Sequence, residues 1–180
     1  MVDFSFKYLT YLGDGLFAFL IVIVFLFISL KNSMYILISY LSAAAVSSYL
    51  KQIAYHNVNR PSFAFFYYVK KEFNKIDGVD CLDLNSFPSG HALSAFALFF
   101  CLIFMNKNHI IKTGCFILAL LAAYSRVHLF QHWLIDIYVG SIIGTLSAIL
   151  FYVVIYKNRK LQFLDLSLSE YTSIRKNKHV

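Results

Sequence analysis

Charge is scarce in this sequence. Charged residues make up 14% of its 180 positions, against about a quarter in an ordinary soluble domain, which excludes most water-soluble folds. A cysteine framework is also missing. Cys101 and Cys115 fall inside apolar runs and Cys81 stands in a polar stretch, so neither a disulfide scaffold nor a CxxC metal site is present. The N-terminus lacks the basic start, apolar centre and small-residue exit of a cleavable signal, and no internal repeat is visible. The charge that exists leans positive, a formal +7. Yet the basic residues sit between and after apolar runs, not among exposed aromatics on a polar surface. That argues against nucleic acid and for membrane topology and phosphate-bearing head groups.

What the sequence has is hydrophobicity, 59% of residues, with 18% aromatic. The apolar residues gather into five runs: Gly15 to Leu30, Ser33 to Leu50, about Ser89 to Met105, about Ile110 to Tyr124, and Trp133 to Tyr156. A straight span needs about 20 residues, so the first and fourth reach both interfaces only with flanking aromatics and snorkelling Lys31 or Lys112. The alternative for any short run, the fourth included, is a buried or re-entrant helix. Tight turns around Lys31-Asn32 and Asn106-Lys107-Asn108 make consecutive helices antiparallel neighbours, and small residues at Ser42 to Ser48 and at Gly140, Ser141 and Gly144 allow close packing in lipid. The predicted fold is an all-α polytopic transmembrane bundle of five spans. The amphipathic stretch from Phe4 to Leu9 lies at the interface, or, extended to Tyr11, adds to a sixth span. Residues 1–160 form one membrane domain and residues 161–180 a basic cytoplasmic tail.

One long connection, Lys51 to Pro88, carries four of the nine acidic residues. Its aromatic cluster Phe63, Phe65, Phe66, Tyr67 and Tyr68 suits an interfacial element. Lys70, Lys71 and Lys75 suit a solvated face or contacts to a lipid head group beyond a bound phosphate. Ionisable residues near a membrane are costly and mark function, and here they concentrate in Lys51 to Arg60, in Ser89-Gly90-His91, and in Arg126 to Asp136. Five alternating spans bring all three to one face.

At these positions the chain resembles the type 2 phosphatidic acid phosphatase superfamily, which also includes vanadium haloperoxidases and bacterial acid phosphatases. The family's second motif stands as Pro88-Ser89-Gly90-His91. Its third, Ser-Arg, five residues, His, three residues, Asp, stands as Ser125-Arg126, His132 and Asp136. The first motif departs: the family places six residues between Lys and Arg-Pro, whereas eight separate Lys51 from Arg60-Pro61. On a continuous helix, at roughly 100° per residue, eight would set the two cations about half a turn apart. Asn57, Asn59 and the restriction before Pro61 predict that the helix ends first and a loop returns Arg60 to the pocket.

The chemistry of these residue types points the same way. A phosphoryl group in transit spreads negative charge over three equatorial oxygens, so catalysis is positioning and electrostatic stabilisation. Lys51, Arg60 and Arg126 are the candidates to hold those oxygens. Ser89 and Gly90 at a helix start add a hydroxyl, backbone donors and the positive end of a helix dipole. His132 and Asp136, four apart, share a helix face, so the carboxylate can bind one ring nitrogen and leave the other to attack phosphorus. His91 is then the acid for the leaving oxygen and the base for water. The resemblance implies the same roles, with no metal and no cofactor. Singly, each histidine could be a packed interfacial residue and Asp136 a helix-start cap; jointly, their spacing favours the site. His128 and His132 are also four apart and could in principle share a metal, but no nearby third ligand of suitable type is evident. His56, His109 and His179 read as surface residues, and Ser125 as a supporting hydrogen-bond group.

The function these observations imply is a membrane lipid phosphate phosphatase working through phosphohistidine, its partners a phosphorylated lipid and the bilayer. Undecaprenyl diphosphate and a lipid A phosphate are the preferred substrates, ahead of phosphatidylglycerol phosphate and phosphatidic acid. The rivals are a lipid phosphotransferase with the same pocket and a noncatalytic transporter or scaffold. A haloperoxidase is disfavoured, since the resemblance there is to large soluble proteins. Small size and the resemblance point to the inner membrane of a bacterium. The proposed catalytic cations aside, the face opposite the motifs carries Lys31, Lys107, Lys112, Lys157, Arg159, Lys160, Arg175, Lys176 and Lys178, against Lys7, Lys70, Lys71 and Lys75 on the motif face. By the positive-inside rule the motif face is periplasmic.

Overall fold

The computed structural model describes residues 2–70 and 83–158. Lys71, Lys75, Cys81, His179 and the basic tail after Asn158 lie outside them. Among the described residues every regular element is a helix. Each of the five apolar runs becomes one, because in lipid the backbone must satisfy its own hydrogen bonds.

A short helix α1 (Val2–Leu9) passes through a 3₁₀ turn (Thr10–Gly13) into α2 (Gly15–Leu26). Asp14 starts α2, its Oδ1 accepting from the Leu16 amide at 3.1 Å. The next turn falls at Phe27 to Ser29, not at Lys31-Asn32. Ser29 caps α3 (Leu30–Tyr49), its Oγ accepting from the Asn32 amide, so both residues belong to the first turn of that helix. Lys31 does not snorkel freely. It is buried, with its ammonium 4.9 Å from the centre of the Tyr156 ring, a cation–π placement. Beyond Tyr49 the helix widens into a π turn (Leu50–Ala54), a form that recurs at functional sites. There it ends, and a loop leads to α4 (Pro61–Ala64), continued by another π turn (Phe65–Val69) on which Phe66, Tyr67 and Tyr68 are exposed. Then come α5 (Gly90–Met105), α6 (His109–His128) and α7 (Leu134–Tyr156), the first two capped by Ser89 and Asn108.

Among the described residues three helices are long and apolar enough to cross a membrane, Leu30–Ala54, His109–His128 and Leu134–Tyr156. A fourth results if α1 with its turn and α2, bent by 54°, count as one span. The remaining apolar helix, α5, has 16 residues and rises about 24 Å, short of the roughly 30 Å hydrocarbon core. It is also the hub of the bundle, with Ala92 to Phe99 and Cys101 all buried among α2, α3, α6 and α7.

The expected small-residue packing is present. A Cβ on Gly140 would lie 2.6 Å from the Ser89 carbonyl oxygen, and one on Gly144 would lie 2.4 Å from that of Leu93. Only glycine lets α7 approach α5 this closely. Hydroxyl bonds fasten α3 to its neighbours in the apolar medium: Tyr35 donates to the Ala148 carbonyl at 2.8 Å, Ser147 to that of Ser39 at 2.7 Å, and Ser33 to that of Val22 at 2.9 Å.

Candidate active site

At one end of the bundle the loops from Tyr55 to Arg60, from Asp83 to Ser89 and from Leu129 to Trp133 knit together. The Arg60 amide donates to the Asp83 carbonyl at 2.9 Å and the Ser86 amide to that of Val58 at 3.0 Å. The Trp133 indole N–H reaches the Asn59 carbonyl at 2.9 Å. The Ser89 amide donates to the Asp136 carbonyl at 3.0 Å, fixing the start of α5 against the first turn of α7. Asn57 and Asn85 adopt left-handed backbone at their turns, a conformation asparagine tolerates. So does Phe130, with φ 55°, where a bulky side chain costs about 1–2 kcal/mol. That turn reverses the chain after α6, and the amides of Gln131 and His132 both bond back to the Arg126 carbonyl.

His132 and Asp136 meet as their spacing predicts. Nδ1 of His132 lies 3.4 Å from Oδ2 of Asp136, and both residues are buried. The same oxygen accepts from the Trp133 amide at 2.9 Å and from the Ser86 hydroxyl. The carboxylate therefore caps α7 while it orients the ring through Nδ1. Burial pushes the imidazole down from its ordinary 6.5 to about 4; the Asp136 hydrogen bond opposes the fall, and the Arg60 and Arg126 charges add to it. The ring is neutral at physiological pH, as a nucleophile requires.

Arg60 and Arg126 are both buried beside this pair. Arg60 stands at the N-cap of α4, returned by the loop despite the wider spacing from Lys51. Its Nε donates to the Leu84 carbonyl at 2.9 Å, and Nη1 to both the backbone and side-chain oxygens of Gln131 at 3.2 Å. Arg126, in the last turn of α6, donates from Nη1 to the Thr10 hydroxyl oxygen at 2.8 Å. Lys51 lies within electrostatic reach of Arg60, Arg126 and Asp136. His91 lies within reach of Arg60, Arg126 and His132. Lys51 and His91 share a cavity of about 280 Å³, with Gly90, Ser47, Ser94 and Tyr40 also on its walls. Ser89 is fully buried, its oxygen accepting from the Ala92 amide, whereas a Cβ on Gly90 would meet no atom within 4 Å, so open space lies above that helix start.

All eight candidate residues thus converge on one end of the bundle. Ser125 is buried and returns its hydroxyl to the Ala122 carbonyl, His56 and His109 are exposed, and His128 packs its ring 4.3 Å from that of Phe6. Sequence reasoning missed Ser86 and Gln131, which hold Asp136 and Arg60, and it missed Thr10.

Apolar helices with a cation-rich centre buried at one end of the bundle describe a multi-pass membrane protein whose site suits an anion. The chain belongs to the PAP2 superfamily, whose profile matches residues 32–160. Its fold is that of the PAP2-type membrane phosphatases. It is similar to the crystal structure of LpxE from Aquifex aeolicus, at TM-score 0.68 and 24% identity over 83% of this chain and 84% of that one. It is also similar to a transmembrane PAP2-type phosphatidylglycerolphosphate phosphatase from Bacillus subtilis, at TM-score 0.69 and 19% identity over 89% and 80%. No curated protein matches the chain.

Proposed function

We propose that this chain is a metal-independent phosphatase of a phosphorylated lipid in the bacterial inner membrane, with five spans and its site facing the periplasm. The observation that carries the reading is the buried His132–Asp136 pair flanked by Arg60 and Arg126. Nε2 of His132 attacks phosphorus. The bond from phosphorus to the lipid oxygen breaks, and His91, which takes up a proton beside the bound phosphate anion, gives that proton to the leaving oxygen. His91 then takes a proton from water, the water oxygen attacks phosphorus, and the P–N bond breaks to release inorganic phosphate and free His132. Lys51, Arg60, Arg126 and the Ser89-Gly90 helix start hold the phosphoryl oxygens and supply the positive charge that a divalent ion supplies elsewhere.

A second feature supports a lipid substrate. An apolar groove of about 830 Å³ runs between α6 and α7 over Phe96, from Leu134 and Ile135, just past His132, to Tyr138 and Ser141. Undecaprenyl diphosphate and a lipid A phosphate remain the preferred substrates. The Bacillus subtilis relative, a phosphatidylglycerolphosphate phosphatase, keeps that lipid and phosphatidic acid under test.

The test is phosphate release from these lipids by purified protein in a chelator, with vanadate as inhibitor, since it mimics the five-coordinate phosphoryl group. Release abolished by His132→Ala is expected. A strict requirement for magnesium or zinc overturns the mechanism. Transfer of the phosphoryl group to a second lipid, without release, would make the enzyme a phosphotransferase. A wild-type protein inert toward every phosphorylated lipid would leave a transporter or scaffold.

A further inference from the structure

We propose that Thr10 is a positioning residue of the active site: its hydroxyl oxygen accepts from Nη1 of Arg126 and sets the rotation of that guanidinium toward the phosphoryl oxygens. The inference rests on the phosphatase reading given above. Thr10 lies outside residues 32–160, the part matched by the family profile, so an element before that part completes the pocket.

The contact is short and shielded. It measures 2.8 Å between two buried residues that stand 116 positions apart in sequence. Its geometry is set from both sides. The 3₁₀ turn Thr10–Gly13 packs against α5 and α6. At its far end, a Cβ on Gly13 would lie 2.6 Å from the His91 carbonyl oxygen, so the turn sits directly on the start of α5. Before the turn, Phe6 of α1 lays its ring 4.3 Å from that of His128 and 5.7 Å from that of Tyr124. Thr10 is thereby held over the last turn of α6, where Arg126 emerges. A hydroxyl is a neutral acceptor. Unlike a carboxylate, it orients the planar guanidinium fork without cancelling its charge, which a phosphate-binding arginine needs.

The test separates positioning from mere stabilisation. A variant that only folds less well lowers the amount of active enzyme and so lowers the maximal rate, but it leaves KM and inhibition constants as they were. Thr10→Val keeps the shape and removes the acceptor. It should raise both KM for an aryl phosphate and the vanadate inhibition constant about tenfold, the scale expected for losing a hydrogen bond to a charged group. Thr10→Ser should restore both. Thr10→Ala, which is smaller and cannot clash, should behave as Thr10→Val does, and both constants are measurable on whatever fraction folds. If KM and the vanadate constant stay at wild-type values in Thr10→Val and Thr10→Ala while the wild type is active, Thr10 is a structural tie only and the inference fails with the phosphatase reading intact. A wild type with no activity on any phosphate ester or phosphorylated lipid removes both.

Discussion

At the scale of the residue, the division of labour between two histidines makes the first prediction. His132→Ala should abolish turnover and the phosphoenzyme with every substrate, because no other group replaces the attacking nitrogen. His91→Ala should lose less, by at least about tenfold, with an aryl phosphate whose leaving group needs no proton than with an alkyl one. Acid-quenched phosphoenzyme and steady-state rates with the paired substrates measure this. Equal losses would deny His91 the proton transfer. A second prediction follows from burial of His132. Its imidazole sits well below its ordinary range, at about 4, so the ring stays neutral and nucleophilic as pH falls through 6.5 and becomes protonated only near 4. The acid limb of kcat/KM should therefore lie near 4 once the substrate's own ionisation, about 6 for a phosphomonoester, is divided out. A remaining limb at 6.5 would mean that the resting ring titrates as if solvated.

At the scale of the element, the glycines of α7 matter because they set how the two halves of the site meet. Gly140 lies against the Ser89 carbonyl, and the Ser89 amide in turn bonds to Asp136. A methyl at Gly140 must push α5 and α7 apart at the level where the helix start proposed to bind phosphate faces the aspartate. Gly140→Ala should destabilise by about 1–3 kcal/mol and lower kcat/KM by more than the loss of folded protein explains. Gly114→Ala is the control, since a Cβ there meets nothing within 4 Å. Detergent thermal shift and active-site titration separate the two effects, and a Gly140→Ala enzyme with wild-type kcat/KM would show that this contact does not tune the site. The elements themselves were legible in the sequence. Apolar runs beginning at or just after Asp14, Ser89 and Asn108 became capped helices, because those side chains satisfy the first free amides, whereas Ser29, inside the first run, caps α3. The motif residues were legible too, since Ser-Arg, His and Asp at that spacing straddle the α6–α7 turn. Ser86, Gln131 and Thr10 were not. Their partners lie 50, 71 and 116 positions away, and no local period reports a contact made only when distant helices pack. The first turn was misplaced for a related reason: the basic character of Lys31 suggested an interface, whereas the Tyr156 ring supplies a buried place for it.

At the scale of the whole molecule, the proposed orientation rests on how charge is divided between the two ends of the bundle. The motif residues gather at one end of the bundle, the end of α6 and the starts of α5 and α7. Lys107 and Lys157 lie at the other ends of those same helices, and the basic segment from Arg159 to Lys178 follows the end of α7. Short basic loops and tails favour the cytoplasmic side, which supports the proposal that the end bearing Arg60, Arg126 and His132 faces the periplasm. This assignment depends only on α5, α6 and α7, so it holds whether α1 lies in the interface or joins α2 as a bent span. A C-terminal reporter that works only in the cytoplasm should be active. Cys81 falls in the sequence between Lys70 and Asp83, whereas Cys101 and Cys115 are buried in the bundle. A membrane-impermeant thiol reagent should therefore label Cys81 in cells whose outer membrane alone has been permeabilised, and Cys81→Ser should abolish the label. If labelling requires rupture of the inner membrane, the site faces the cytoplasm. Undecaprenyl diphosphate and lipid A phosphate presented at the periplasmic leaflet would then give way to a lipid phosphorylated on the inner one.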